Sequence, residues 1–341
     1  MNANDKNINN LFLYWLICSS TLVFIIIIVG GLTRLTNSGL SITEWELFKG
    51  ILPPLNQKSW FFYFDQYKKI PQFNLLNYNM TLDEFKVIFY WEYLHRILAR
   101  LIGIFFFIPL IYFYLLKKIN KRYMTVCYFI FFLIILQGAV GWYMVKSGLV
   151  YDVTVSHYRL SIHLCLAFII ISNIFWLILN VKKNTDLIFL NLNKKNIFFF
   201  ILIILIFIQI ILGAFVSGLD AGRIYQTWPL MGNSYIPNDL VIKNLKNIFD
   251  FNNHSLVQFY HRNLAYFITF YILALNFFIY ERKIKNLFNP MKFLLLSLIL
   301  QIILGILTLM SSLNIYLASA HQISSVILVF SSINLYYFRS K

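Results

Sequence analysis

The chain is 341 residues long, 60% hydrophobic and 19% aromatic, with only 12% charged residues. A soluble domain carries about 25% charged residues, so a soluble globular protein is excluded. The net charge of +16 rests on 29 Lys and Arg residues scattered between apolar runs, which indicates no nucleic-acid partner and reads instead as topological information. Runs such as Leu11 to Gly30, Tyr123 to Val145 and Asn196 to Leu219 each approach the roughly 20 residues of a bilayer-spanning helix. They are apolar on every face, unlike the alternating segments of about 10 residues in a membrane β-barrel. The expected fold class is therefore an all-α polytopic membrane protein.

In chain order, spans are expected near 11–31, 87–116, 123–145, 157–181, 197–218, 257–280, 292–311 and 316–338. The first ten residues hold one Lys and one Asp, unlike an Arg-rich transit peptide, and no small-residue cleavage site follows the first run, which is expected to stay as a span. From Phe293 to Phe338 no residue is formally charged over 46 positions. One crossing cannot use that length, so a turn is expected at Ser311-Ser312-Leu313-Asn314. Cys18, Cys127 and Cys165 all lie inside apolar runs; they support neither a disulfide framework nor a thiolate metal site and read as small core residues.

Short connections set the orientation. Lys117, Lys118, Lys121 and Arg122 follow span 2; Lys182, Lys183, Lys194 and Lys195 follow span 4; Arg282, Lys283, Lys285 and Lys292 follow span 6. The positive-inside rule turns these to the cytoplasm, with both termini, and leaves the long segments 32–86 and 219–256 outside, on the periplasmic side of a bacterial inner membrane.

The two halves repeat one another. Span 3 carries Gln137-Gly138-Ala139-Val140-Gly141 and span 7 carries Gln301-Ile302-Ile303-Leu304-Gly305; span 1 ends in Gly30-Gly31 and span 5 in Gly213-Ala214. His95-Arg96 in span 2 matches His261-Arg262 in span 6, and His163 in span 4 matches His321 in span 8, at offsets of 166 and 158 residues. The expected architecture is eight transmembrane helices as two duplicated four-helix bundles, an N-terminal half over 1–185 and a C-terminal half over 196–341.

A lone intramembrane His has three ordinary uses: hydrogen-bonded packing, lining a cavity, or ligation. Duplication shifts the balance, because two His on neighbouring helices, repeated in both halves, are the donor set of a six-coordinate haem. Zinc would call for Cys or carboxylate companions. His157 and His254 have no counterpart in the opposite half and read as interfacial. Arg96 and Arg262 suit either snorkelling or pairing with haem propionates, and Arg100 and Arg159 allow the same two readings. Trp45, Trp91, Trp142 and Trp228 read as interface anchors or as rings stacked near a porphyrin. The halves differ at one place: Glu92 lies three residues before His95, whereas Gln258 lies three before His261. The carboxylate either pairs with Arg96 at i, i+4 or performs chemistry that the second half lacks.

Gly30-Gly31-Leu32-Thr33-Arg34-Leu35-Thr36, Ser38-Gly39-Leu40-Ser41-Ile42-Thr43-Glu44-Trp45, Leu52-Pro53-Pro54, Glu84-Phe85-Lys86 and Trp91-Glu92-Tyr93-Leu94-His95-Arg96 closely resemble the haem A synthase family, in the form shared by mitochondria and α-proteobacteria. The resemblance continues through Val155-Ser156-His157-Tyr158-Arg159-Leu160 with His163, Thr227-Trp228-Pro229-Leu230-Met231-Gly232, Val257-Gln258-Phe259-Tyr260-His261-Arg262 and Ala320-His321-Gln322. It implies oxidation of the C8 methyl of haem O to a formyl group by successive hydroxylations, for cytochrome oxidase biogenesis. It implies His95 and His163 as ligands of the substrate haem, His261 and His321 as ligands of a haem b cofactor, and Glu92 as the functional carboxylate. Further implied partners are a haem O synthase (a farnesyltransferase), cytochrome oxidase assembly factors and membrane lipid; a homo-oligomer is left open. Residues 32–86 contain no Cys, so the thiol pair of Gram-positive members has no equivalent. Two rival readings remain from the residues alone: a dihaem b-type electron-transfer protein without haem-modifying chemistry, and a repeat-built transporter.

Overall fold

A backbone in lipid must satisfy its own hydrogen bonds, and the long apolar runs do so as helices. The computed structural model describes residues 3–44, 49–149, 153–190, 193–240 and 245–341. The helices are α1 (Ala3–Leu35), α2 (Gln57–Tyr67), α3 (Pro71–Leu76), α4 (Leu82–Leu116), α5 (Lys121–Gly148), α6 (His157–Lys183), α7 (Ile197–Gly218), α8 (Leu245–Ile248), α9 (His254–Glu281), α10 (Phe288–Met310) and α11 (Ile315–Ser340). Among the described residues, eight of them (α1, α4, α5, α6, α7, α9, α10 and α11) are long and apolar enough to cross a membrane, as the sequence led one to expect. The protein is a multi-pass membrane protein. Along α4, Val87, Leu94, Leu101, Ile104 and Ile108 are exposed, which is the surface a lipid-facing helix presents.

Helix ends differ from the apolar runs where capping residues extend them. α4 starts at Leu82, five residues before the expected span, because Thr81 and Glu84 form a capping box: the Thr81 N–H donates to Glu84 Oε2 at 2.8 Å and the Glu84 N–H to Thr81 Oγ1 at 3.3 Å. α9 begins at His254, where the Asn253 side chain accepts from the Leu256 N–H at 3.0 Å. The expected turn near 311–314 is present: Ser312 and Leu313 have φ of 58° and 63°, and the Asn314 side chain caps α11.

The chain folds as two compact units, Met1–Ile170 and Ile171–Lys341. In the first, α1 packs along α4 and α4 along α5, around Phe12, Trp15, Phe106 and Phe113. In the second, α7 packs along α9 and α10 along α11. Cys127 is buried as expected, whereas Cys18 is exposed on α1 and so is not a core residue: its position falls on the outward face of the helix.

The segment between α1 and α4 is ordered by aromatic packing that the hydropathy pattern does not reveal. Trp60, Phe64 and Tyr67 of α2 pack on Phe85 and Phe89 of α4 together with Leu40 and Ile42. The Tyr67 hydroxyl donates to Gln72 Oε1 at 3.0 Å and accepts from Asn77 Nδ2 at 2.7 Å, tying α2 to α3 and the loop beyond it. Burial raises the Tyr67 hydroxyl above the ordinary phenol range, so it stays a donor at physiological pH.

Phe85 is fully buried where α2 meets α4. Phe85→Ala should therefore cost about 3–5 kcal/mol and open residues 57–76 to protease in membranes; unchanged melting in detergent together with unchanged cleavage would contradict this packing.

Candidate functional site

Each of the four expected histidines lies on the backbone of the preceding transmembrane helix at a glycine. A Cβ built on Gly30 of α1 would lie 3.0 Å from His95 Cε1; on Gly141 of α5, 2.9 Å from His163 Cε1. In the second unit a Cβ on Gly213 of α7 would lie 3.1 Å from His261 Cε1, and on Gly305 of α10, 2.9 Å from His321 Cε1. Such separations leave no room for a methyl group, so glycine is what lets each ring lie against its neighbour helix.

Glutamines one turn earlier reach three of these rings. Gln137 Nε2 lies 3.3 Å from His163 Nε2 and donates to the His163 carbonyl oxygen at 3.1 Å. Gln209 Nε2 lies 3.2 Å from His261 Nδ1 and donates to the His261 carbonyl oxygen at 2.9 Å. Gln301 Nε2 lies 3.4 Å from His321 Nε2, and its Oε1 accepts from the Ser324 hydroxyl.

In the first unit the His95 and His163 ring centres stand 6.4 Å apart. Two imidazoles bonded to one metal ion, each at roughly 2 Å, stand about 6 Å apart centre to centre. On His95, His163 and His321 a buried Nδ1 has no hydrogen-bond partner among the described residues. A buried polar atom without a partner is costly, and a bound metal centre would remove that cost. Among the described residues no group of three or more His, Cys, Asp or Glu converges, so the donors come in twos. Paired neutral imidazoles in an apolar bundle suit haem iron, and the residues present fit that group.

Glu92 is 3% exposed, and its carboxylate takes four donors. Oε1 accepts from Arg96 Nη2 at 2.6 Å and Nε at 3.1 Å; Oε2 accepts from the Ser41 hydroxyl at 2.7 Å and the Ile42 N–H at 2.9 Å. Arg96 Nη2 also donates to the Ile42 carbonyl oxygen at 2.8 Å. The Glu92–Arg96 pair therefore grips the first outer segment at Ser41-Ile42, a use of both side chains that the sequence did not reveal. In the second unit Gln258 Nε2 and Arg262 Nη2 both donate to the Tyr225 carbonyl oxygen, at 2.8 and 3.0 Å, and grip the second outer segment in the corresponding way. Both guanidinium groups are engaged by the protein itself: the Arg96 side chain is 13% exposed, and Arg262 Nη1 donates to the Leu230 carbonyl oxygen at 3.2 Å.

The remaining candidates lie around this frame. Arg100, with Arg96, Ile42, Tyr63, Phe89 and Tyr93, lines a small cavity beside the grip. Arg159 donates to the Ser147 hydroxyl and lies over the Tyr143 ring. His157, expected at the interface, is buried at the start of α6 with its ring 4.1 Å from that of Tyr158; His254 is exposed at the start of α9. Trp142 lies under Lys146 at 5.0 Å, and Trp228 Nε1 donates to the Tyr266 hydroxyl at 3.1 Å. Trp91 is half-buried; Trp45 lies outside the described residues.

These features define a class: a multi-pass helical membrane protein with buried imidazoles, each seated on a glycine of a neighbouring helix. The model of the cytochrome oxidase assembly protein family (COX15-CtaA) matches residues 13–333. Relatives include the "Heme A synthase" of Pelagibacter ubique, 48% identical over 332 residues covering 97% of each chain. Those of Rickettsia felis (40% over 319 residues, 92% of this chain and 94% of the relative) and Nitrosomonas eutropha (42% over 323 residues, 92% and 89%) carry the same name. The chain belongs to the cytochrome oxidase assembly protein family.

Gly138 and Gly141 lie three residues apart on α5, and nothing lies within 4 Å of a Cβ on Gly138. Gly138→Ala should raise stability by about 0.5–1 kcal/mol, whereas Gly141→Ala should lower it by about 1–3 kcal/mol as the His163 ring is pushed away. Equal shifts in detergent melting would contradict the seating of His163 on Gly141.

Proposed function

We infer that the protein is a haem A synthase, an oxidoreductase of haem A biosynthesis that acts on haem O in cytochrome oxidase assembly. The observation that carries this reading is the His95–His163 pair at 6.4 Å with Glu92 one helical turn before His95. In the finer reading, His95 and His163 hold the substrate haem in an N-terminal half over 1–185, while His261 and His321 hold a haem b cofactor in a C-terminal half over 196–341. A b-type haem held there would supply a redox-active iron. The repeated Gly–His seating in both halves supports their origin by duplication, and the basic short connections support a bacterial inner-membrane location with both termini cytoplasmic.

Glu92 is the proposed catalytic residue, as proton acceptor from the incoming water or as counter-charge at the reacting C8 carbon. Its four present donors limit how it can act. Of these, the Ser41 hydroxyl can rotate, so it is the donor that yields when the carboxylate takes a proton. Arg96 and the Ile42 N–H keep the carboxylate aimed throughout.

Two measurements test this. Haems extracted from cells supplied with haem O and separated by chromatography should contain haem A, and its absence would refute the activity. In protein purified without haem O, His261→Ala or His321→Ala should lower copurifying haem b, and His95→Ala or His163→Ala should largely retain it; equal loss from all four would refute the division of roles.

Glu92→Gln separates catalysis from the grip on Ser41-Ile42. The second unit holds its outer segment with Gln258, so an amide here is compatible with folding. The variant should keep haem b and lose haem A formation by a factor of about 10² or more; near-normal haem A would leave Glu92 with the grip alone.

A further inference from the structure

The segment between α1 and α4 leaves large apolar side chains exposed, and one group of them stands at a single height along α4. On α1 no residue from Asn7 to Thr33 is charged and Arg34 follows, so the apolar slab ends near Thr33. The Thr33 hydroxyl donates to the Trp91 carbonyl oxygen at 3.3 Å, which puts the same edge near Trp91 on α4. Three contacts bring the chain from Ile51 to Phe62 to this height. The Tyr93 hydroxyl donates to the Ile51 carbonyl oxygen at 2.6 Å. Leu52 lines the small cavity together with Tyr93, Arg96 and Arg100, long side chains that lean toward the start of their helix. The Trp60 ring stands 5.0 Å from that of Phe89 and 5.4 Å from that of Tyr90.

The side chains left exposed at this height are apolar. Leu52 and Leu55 are 67% and 78% exposed, and Ile51, Phe61 and Phe62 are exposed as well. Tyr90, which Trp60 touches, and Leu94 one turn further along are also exposed, so the patch continues the lipid-facing surface of a membrane-spanning helix. Lys58 is the one formally charged residue from Gly50 to Phe62, and its long stem lets the ammonium reach water from within the boundary. The backbone suits a poorly hydrated place too. Pro53 and Pro54 have no N–H to leave unsatisfied, and the Asn56 side chain accepts from the Ser59 N–H at 2.8 Å.

We propose that residues 51–62 form a wedge set into the lipid leaflet at the N-terminal end of α4, with Leu52, Leu55, Phe61 and Phe62 at the boundary between headgroups and acyl chains. Lipid, not protein, covers the patch. The wedge gives the segment between α1 and α4 a third fastening, after Ile42 on the Glu92–Arg96 pair and Ile51 on Tyr93. Neither the wedge nor its test depends on what the histidines bind.

The test is spin labelling of the full-length protein in phosphatidylcholine–phosphatidylglycerol vesicles. Leu55→Cys and Phe62→Cys are labelled one at a time in a background carrying Cys18→Ser and Cys165→Ala, with the buried Cys127 left in place. Power saturation compares collisions with oxygen, which concentrates in lipid, and with a nickel chelate, which stays in water. Both labels should collide mainly with oxygen, as should one at Leu101→Cys on the exposed face of α4, and should lie about 5–10 Å into the boundary. A label at Asp83→Cys, where the native side chain is 89% exposed, should collide mainly with the chelate. If the label at Leu55 or at Phe62 follows the one at Asp83, the patch lies in water and the proposal is overturned. Shielding from both reagents would mean that a second copy of the chain covers the patch, and would overturn it equally.

Discussion

A helix backbone bare of side chain at one point, with an imidazole laid against it, is the contact from which the functional geometry follows. It occurs at Gly30, Gly141, Gly213 and Gly305, and at each it does two things. It lets the ring lie against the backbone of the neighbouring helix more tightly than a Cβ would leave room for, a use of small residues common where helices associate in lipid. It also sets the direction of the ring, because one edge of the imidazole abuts backbone that cannot rotate away. In the first unit two rings set in this way stand 6.4 Å apart, a separation at which one metal ion could bond to both.

The outer segments are secured by a second repeated device, and here a one-atom difference in chemistry has structural consequences. Arg96 and Arg262 each donate to a backbone carbonyl oxygen, of Ile42 and of Tyr225. Glu92, an acceptor only when ionised, takes the Ile42 N–H as well, so that residue is held at both its backbone polar groups; Gln258 offers its amide N–H to the same carbonyl as Arg262. The carboxylate therefore holds the first segment more completely, from a position three residues before His95.

Much of this was legible in the sequence, and the exceptions share a cause. The eight spans follow from hydropathy, and the turn at 311–314 from the impossible length of an uncharged run, because both are properties of the chain against lipid. The four His emerged from internal repetition. Gln137, Gln301 and the glycines were visible as marks of that repetition, but not as partners of the rings, since partnership depends on the rotation of one helix against another. The hydrogen bond from Ser41 to Glu92 spans 51 residues, and no local pattern encodes it. α2 and α3 escaped notice because their signal is an Asn cap, an initial Pro and scattered aromatics within a polar segment. The burial of His157 was missed because a helix start at the interface looks exposed until its neighbours are placed.

The central claim is that the imidazoles bind haem iron in pairs. Low-temperature EPR of the ferric, haem-loaded protein in detergent tests it most directly, because haem iron held by two imidazoles would be low-spin. The result expected is low-spin signals of bis-imidazole type from two sites, with His163→Ala converting one of them to high-spin and His321→Ala the other. High-spin iron in the wild type, or low-spin signals that persist unchanged through substitution of all four histidines, would contradict it.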